Sequence, residues 1–292
     1  MLTTSKFRLF LICVITAIFI ASIAFLKKTD VEKKKQVESF FKVLVYENHF
    51  GYTLFGDKPV SIAGYFTQEP LSNFFWGRSN HSNLGELWKI WESYQKTLNI
   101  KEYIFLNEAD VDLDNLRVIT LINKKAFLAK VKQHIELFQA VLGNNITPEL
   151  LLERVSAPHS SLFKHLNCNE GLYGILLGYG RNNAFAFKRS LELAKIVDPV
   201  YRDCPIHFSL FFPRPSKGFS SLSEEYESLR TKLFPFTHQH KLSQVLLPQM
   251  VVLEDDDETI NLRKKYRELH RKIVQTYLNN DFLEITFKQL CS

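Results

Sequence analysis

The sequence predicts an α+β body, predominantly helical with a small antiparallel or mixed sheet, behind one N-terminal transmembrane helix. Three observations predict it. Leu9 to Leu26 is a run of 18 residues without a charge. Apolar residues recur at spacings of three and four along most of the remaining chain, the pattern of one-sided helices. Between those stretches lie short runs rich in Val, Ile, Phe and Tyr, bounded by Gly, Pro and Asp, which suit strands.

The first observation sets the organisation. A helix of that length spans about 27 Å, close to the hydrocarbon thickness of a bilayer. Residues 1–8 are then a short basic tail, 9–26 the anchor, 27–46 a basic amphipathic stalk and 47–292 a single globular body. The competing reading is a cleaved signal peptide with Ser22-Ile23-Ala24 at the cut. The apolar run is longer than a usual signal core and continues past that point, which favours the anchor. Lys27, Lys28, Lys33, Lys34 and Lys35 follow the span and are expected at lipid headgroups. Their weight would hold the body in the cytoplasm, whereas short-tailed N-terminal anchors commonly accompany exported bodies, so the side stays open. Cys168 and Cys204 could pair only outside a reducing compartment.

Composition narrows the function classes. The 292 residues are 46% hydrophobic and 23% charged, which excludes disordered and disulfide-dense classes. The net charge of +6 shrinks once Lys6, Arg8, Lys27, Lys28 and Asp30 are set aside: 33 basic and 30 acidic residues remain. A body so nearly balanced has no global charge for nucleic acid.

Along the body, Val37, Phe40, Phe41, Leu44 and Val45 predict an amphipathic helix to about Tyr46. Gly51 to Phe55 and Val60 to Phe66, around Gly56-Asp57, predict a hairpin. Leu84, Leu87, Trp88 and Trp91 predict a tryptophan-bearing helix. Glu102 to Leu106 and Leu116 to Ile122 predict strands. Phe127, Val131, Ile135, Phe138 and Leu142 predict one helix ending at Gly143. Thr147-Pro148 predicts an N-cap and first turn of a helix to about Val155. Leu172 to Leu177 is an apolar run closed by Gly178-Tyr179-Gly180, followed by a helix from Asn182 to Val197. Ile206 to Phe212 predicts a strand, Ser220 to Ser223 the cap of a helix to Leu233, and Met250 to Leu253 a short strand. Leu262, Tyr266, Leu269, Ile273 and Tyr277 predict a long helix from about Asp257, and Phe282, Ile285 and Leu290 a last one.

Phe50 to Pro59, Gly174 to Ala184 and Asp281-Phe282-Leu283-Glu284 together resemble stretches of uncharacterised membrane-anchored proteins of intracellular bacteria, chlamydia-related organisms and legionellae in particular. The resemblance implies a bacterial envelope setting. It implies no activity and transfers no functional residue.

No familiar catalytic signature occurs: there is no GxSxG, GxxxxGK[ST], HExxH, CxxC or EF-hand loop. Gly178-Tyr179-Gly180-Arg181-Asn182 lies between an apolar run and a helix, but it lacks the third glycine and the following strand of a dinucleotide fingerprint. Its structural reading is a glycine-terminated helix followed by an Asn-capped one. Its functional reading is a ligand corner made by Tyr179, Arg181 and Asn182. His238 and His240, with the acidic run Glu254 to Glu258, match no metal-site spacing, and the acids suit the first turn of the next helix. Phe74, Phe75 and Trp76 fall in an expected loop, where an exposed apolar patch would contact a partner. The sequence therefore predicts a binding protein without metal or cofactor. Its partners would be membrane lipid, through residues 9–26, and an unidentified protein or small molecule, with no nucleic acid. The alternative is an anchored enzyme with its site near the Gly178–Asn182 corner.

Overall fold

Three antiparallel strands divide the body into two layers of helices in the computed structural model, which describes residues 30–67, 83–110, 113, 115–157, 160–198, 214–235, 248, 250–278 and 280–292. The strands are β1 (Val60–Phe66), β2 (Tyr103–Ala109) and β3 (Leu116–Asn123), in the order β1-β3-β2. Val60 pairs with Ile122 and Phe66 with Leu116, while Tyr103 pairs with Asn123 and Ala109 with Arg117. Successive side chains leave opposite faces of a strand, so each strand serves both layers. Ala63, Tyr65, Tyr103, Ile119 and Leu121 join one core, and Val60, Ile62, Ile104, Leu106 and Ile122 the other.

The first layer is aromatic. Helix α1 (residues 30–42) runs into a wider π-helical turn, Val43–Glu47, and buries Val37, Phe40, Phe41, Leu44 and Val45, the stripe read from their spacing. Helix α2 (Phe50–Leu54) is buried at every position. Helix α3 (Leu84–Tyr94) buries Trp88 and Trp91. The Trp91 ring meets Phe41 at 4.7 Å and Phe105 at 5.0 Å, both edge to face, a geometry that adds to simple area burial. The long C-terminal helices pack into the same core. Their apolar positions Tyr266, Ile273 and Tyr277, then Phe282 and Leu290, are the buried ones.

The second layer follows β3 in the chain as α4 (Lys124–Gln133), α5 (Ile135–Leu142), α6 (Pro148–Ser156), α7 (Leu162–His165), α8 (Glu170–Leu176) and α9 (Arg181–Val197). The Thr147 hydroxyl accepts from the Leu150 amide at 3.1 Å and Pro148 opens α6, as the sequence predicts. Helix α10 (Leu222–Lys232), capped by Ser221, packs on α9. Strand β4 (Leu233–Pro235) pairs with β5 (Val251–Leu253). Helix α11 (Asp257–Tyr277) and helix α12 (Phe282–Leu290) complete the order, with Asp256 and Asp281 as N-caps. The body is thus α+β, mostly helical, with an antiparallel three-stranded sheet.

Three expectations are corrected. Phe50 to Leu54 is a helix, not the first arm of a hairpin, and β1 pairs instead with β3 across some sixty residues of chain. The segment has to be buried on all sides, against Ile273 among others, and an edge strand would leave one side in water. The helix from Phe127 to Leu142 is broken at His134, whose carbonyl accepts from both Leu137 and Phe138 and so starts a new helix. Finally, α9 begins at Gly180 without a side-chain cap, so no Asn caps it.

The expected anchor 9–26, Lys27, Lys28, Phe74, Phe75, Trp76, the strand at 206–212, Cys204, His238 and His240 lie outside the described residues. Among the described residues no helix is long and apolar enough to cross a membrane.

Candidate functional site

The second face of the sheet is only partly covered. Helices α4 to α6 pack over its Val60–Ile122 end. At the other end, α7, α8 and α9 stand off the sheet and leave a cavity of about 450 Å³. Its floor is one row across the three strands, Gly64 beside Val118 beside Glu108, with Ile62 and Leu116 on either side. Gly64 matters here for what it lacks: a Cβ at this position would meet Leu116 Cδ1 at 3.4 Å and the Arg117 carbonyl oxygen at 4.0 Å, both ordinary contacts. Phe163, Leu177 and Phe187 supply apolar wall, and Phe187 at the rim is 39% exposed.

Glu108 is the buried carboxyl of the site. It shares the inward side of β2 with Ile104 and Leu106, so it sits where the alternation calls for an apolar residue. Its Oε1 accepts from Thr120 Oγ1 at 3.0 Å and its Oε2 from the Leu162 amide at 2.8 Å. The second bond ties the start of α7 to the sheet. Burial pushes the Glu108 pKa up, against the pull of these bonds and of the Ser161 hydroxyl. Glu170, in the first turn of α8, is also raised by burial.

Two tyrosines complete the polar lining. Tyr173, on α8, packs its ring 5.1 Å from Phe163. Burial raises its pKa, and the nearby Glu108, Tyr179 and Asp110 raise it further. Burial alone pushes Tyr179 up to about 12. Both phenols therefore keep their protons and act as hydrogen-bond donors. Among the described residues neither hydroxyl has a hydrogen-bond partner.

The glycine-rich corner is an internal joint next to this cavity. Gly178 has φ 78° and Gly180 φ 87°, which an L side chain adopts only with strain. The Tyr266 hydroxyl donates to the Gly178 carbonyl at 2.7 Å, and a Cβ on Gly178 would collide with that hydroxyl. Glu258 sits over the start of α9, where its carboxylate accepts from the Arg181 amide at 2.8 Å and the Asn182 amide at 2.7 Å. A carboxylate suits a helix N-terminus by charge and by hydrogen bonding. Asn182 Nδ2 donates to Asp256 Oδ1 at 2.9 Å. Behind them the buried Asn183 donates to the Tyr179 carbonyl and accepts from the Leu253 amide and Thr259 Oγ1, joining α9 to β5 and α11.

Of the three residues singled out at this corner, Tyr179 thus lines the cavity, whereas the amides of Arg181 and Asn182 are held by Glu258. Glu108, Glu170 and Tyr173 were not singled out. For Glu108 a signal existed, a carboxylate on the apolar parity of a strand. For Glu170 and Tyr173 none did, because α8 reads as one more apolar run. Lys33, Lys34 and Lys35 are exposed on α1, with Lys34 paired to Asp30 at 3.3 Å. A second hollow of similar size, between α1 and α3, is walled among the described residues by Gln36, Ser39, Asn83 and Glu86 with Val43, Leu87 and Ile90, and by no aromatic ring.

No family model, curated protein or solved structure matches this chain. The site is an apolar chamber of a size that holds small molecules, with two tyrosines and two carboxyls of raised pKa in its lining.

Proposed function

We propose that the chain is a single-pass membrane protein of the bacterial envelope, anchored by residues 9–26, whose body binds a small-molecule ligand in the cavity beneath α8 and α9. The observation that carries this reading is the cavity itself. A folded body closes its apolar surfaces on one another, and a chamber of about 450 Å³ left between a sheet and two helices is within the range of ligand sites. The uncharged run from Leu9 to Leu26 supports the anchor. The exposed Lys33, Lys34 and Lys35 at the start of α1, which is packed into the body, support contact with anionic headgroups.

Two measurements test it. Membranes carrying the full chain are extracted with alkaline carbonate, and the protein is expected in the pellet; release into the supernatant overturns the anchor. The full chain is then purified beside the Gly64→Leu variant, whose side chain grows into the cavity, and small molecules are extracted and compared by mass spectrometry. A species carried by the native chain and depleted in the variant is expected. Identical extracts, together with identical thermal unfolding of the two proteins in the presence of those extracts, overturn the ligand site.

A further inference from the structure

The lining of the cavity says more than that it is apolar; it specifies the polarity of what enters. Resting on the reading of this cavity as a ligand site, we propose that its ligand is an uncharged, mainly apolar carbonyl compound whose oxygen accepts hydrogen bonds from Tyr173 and Tyr179.

The first argument is charge. Among the described residues Glu108, Asp110 and Glu170 line the cavity, and no Lys or Arg does. Carboxylates and phosphates, the usual heads of membrane-derived ligands, would enter beside acidic side chains, with no Lys or Arg among the described lining residues to meet them. Burying an unpaired anion is far more costly than burying a neutral group.

The second argument is hydrogen-bond supply. The oxygens of Glu108 are already taken, by Thr120 Oγ1 and the Leu162 amide. They are poorly placed to capture a ligand ammonium, and the charge of Glu170 is already offset by nearby Lys188 and Lys195. Among the described residues the hydroxyls of Tyr173 and Tyr179 make no hydrogen bond. Each is a phenol whose proton burial retains, so each offers a donor to whatever lies in the chamber. An apolar ligand with no acceptor would leave both hydroxyls dry, at a cost that a single carbonyl oxygen, with its two lone pairs, removes.

The third argument is shape. Apart from Ser161, whose hydroxyl bonds Glu108, the rest of the described wall is aliphatic and aromatic, including Ile62, Val118, Leu177 and Phe187. It offers dispersion contacts on both sides and no further polar partner to a ligand's middle. Esters, amides, ketones and quinones on hydrophobic skeletons satisfy all three conditions.

The test uses prodan, an uncharged naphthyl ketone whose emission reports both the polarity around its ring and hydrogen bonding to its carbonyl, and anilinonaphthalene sulfonate, an anionic dye of similar size. Both are titrated onto the full chain in a non-ionic detergent, with Gly64→Leu in the same detergent as the blank. Prodan is expected to bind the native chain at least tenfold more tightly than it binds the blank, and the sulfonate to show no such difference. In the Tyr173→Phe, Tyr179→Phe double variant, two lost hydrogen bonds correspond to about a tenfold loss of prodan affinity, with a blue shift of the remaining bound emission. Far-ultraviolet circular dichroism verifies that the double variant is folded; each single variant serves if it is not. If prodan binds the native chain as tightly as before after loss of both hydroxyls, or if the sulfonate binds as well as prodan, the carbonyl proposal is overturned while the cavity stands as a ligand site. If neither dye distinguishes the native chain from Gly64→Leu, the ligand site falls and this proposal with it.

Discussion

Lys58 offers the sharpest test of the energetics of this body. It follows the Gly56-Asp57 bend, yet it is only 4% exposed. Its Nζ donates to the Val60 carbonyl at 2.7 Å and to Ser61 Oγ at 3.0 Å. Ser61 in turn shares a hydrogen bond with Thr53 and donates to the His49 carbonyl. Among the described residues no carboxylate pairs with the amine. Burial accordingly lowers its pKa to about 7 from an ordinary 10.5, and a neutral amine has two N–H bonds for its two acceptors. The sign follows from the two states. Above pH 10.5 the amine is neutral both folded and unfolded and incurs no penalty. Between 10.5 and 7 the unfolded chain takes up a proton that the native chain refuses, so stability falls as pH falls, by about 1.4 kcal/mol per unit. Over 3.5 units this approaches about 5 kcal/mol, and below pH 7 it stays constant. Lys58→Met removes that penalty and forfeits two hydrogen bonds of about 1 kcal/mol each, so it stabilises the protein at pH 7 by about 3 kcal/mol. Urea unfolding followed by tryptophan fluorescence at pH 7 and pH 9.5 measures this, below the range where the buried tyrosines intervene. The native chain is expected to gain stability between the two pH values, and the variant to gain far less. A variant that is less stable than the native chain at pH 7, with the same pH slope, would refute the reasoning.

Three further predictions concern the joints of the fold. Asn183→Ala removes three hydrogen bonds made inside the protein and should destabilise it by about 3 kcal/mol, with the loss visible in the same urea transition; a change below about 1 kcal/mol would mean the β5–α11 unit docks by apolar contact alone. Gly178→Ala forces a side chain into a left-handed backbone and against the Tyr266 hydroxyl, so a loss of about 3 kcal/mol is expected, and pairing it with Tyr266→Phe should recover part of it in a double-mutant cycle. Glu225 is held near a pKa of about 2 by the Arg189 guanidinium, which reaches both its oxygens at 2.7 and 2.8 Å. Its contribution is present above pH 4.5 and is lost as pH falls toward 2. Glu225→Gln should therefore weaken the protein at pH 6 and flatten the acid limb of an unfolding profile, and an unchanged limb would count against the pair.

How much of this was legible in the sequence depends on the range of the interaction concerned. The cap at Thr147 with Pro148 after it, the stripe from Val37 to Val45 and the paired tryptophans of α3 are local patterns, and the folded chain keeps them. Local patterns survive because a helix is made by bonds four residues apart and a buried face by spacing alone. The strands read at 102–106 and 116–122, which the fold forms at 103–109 and 116–123, were legible for the same reason. Phe50 to Leu54 was not, because its strand propensity is overruled by burial against α11, more than two hundred residues away. The glycines at 178 and 180 announced a turn, but their purpose, room for Tyr266 and Glu258, lies on a helix that sequence cannot place there. The candidate site is the clearest case. Gly64, Glu108, Tyr173 and Tyr179 come from two strands, a helix and a turn, and each alone is an ordinary residue. The sequence by itself determined most of the helices, the three strands of the sheet and the uncharged N-terminal run. Only the tertiary structure decided that α8 and α9 stand away from the sheet, since a cavity is a property of distances between elements and has no local code.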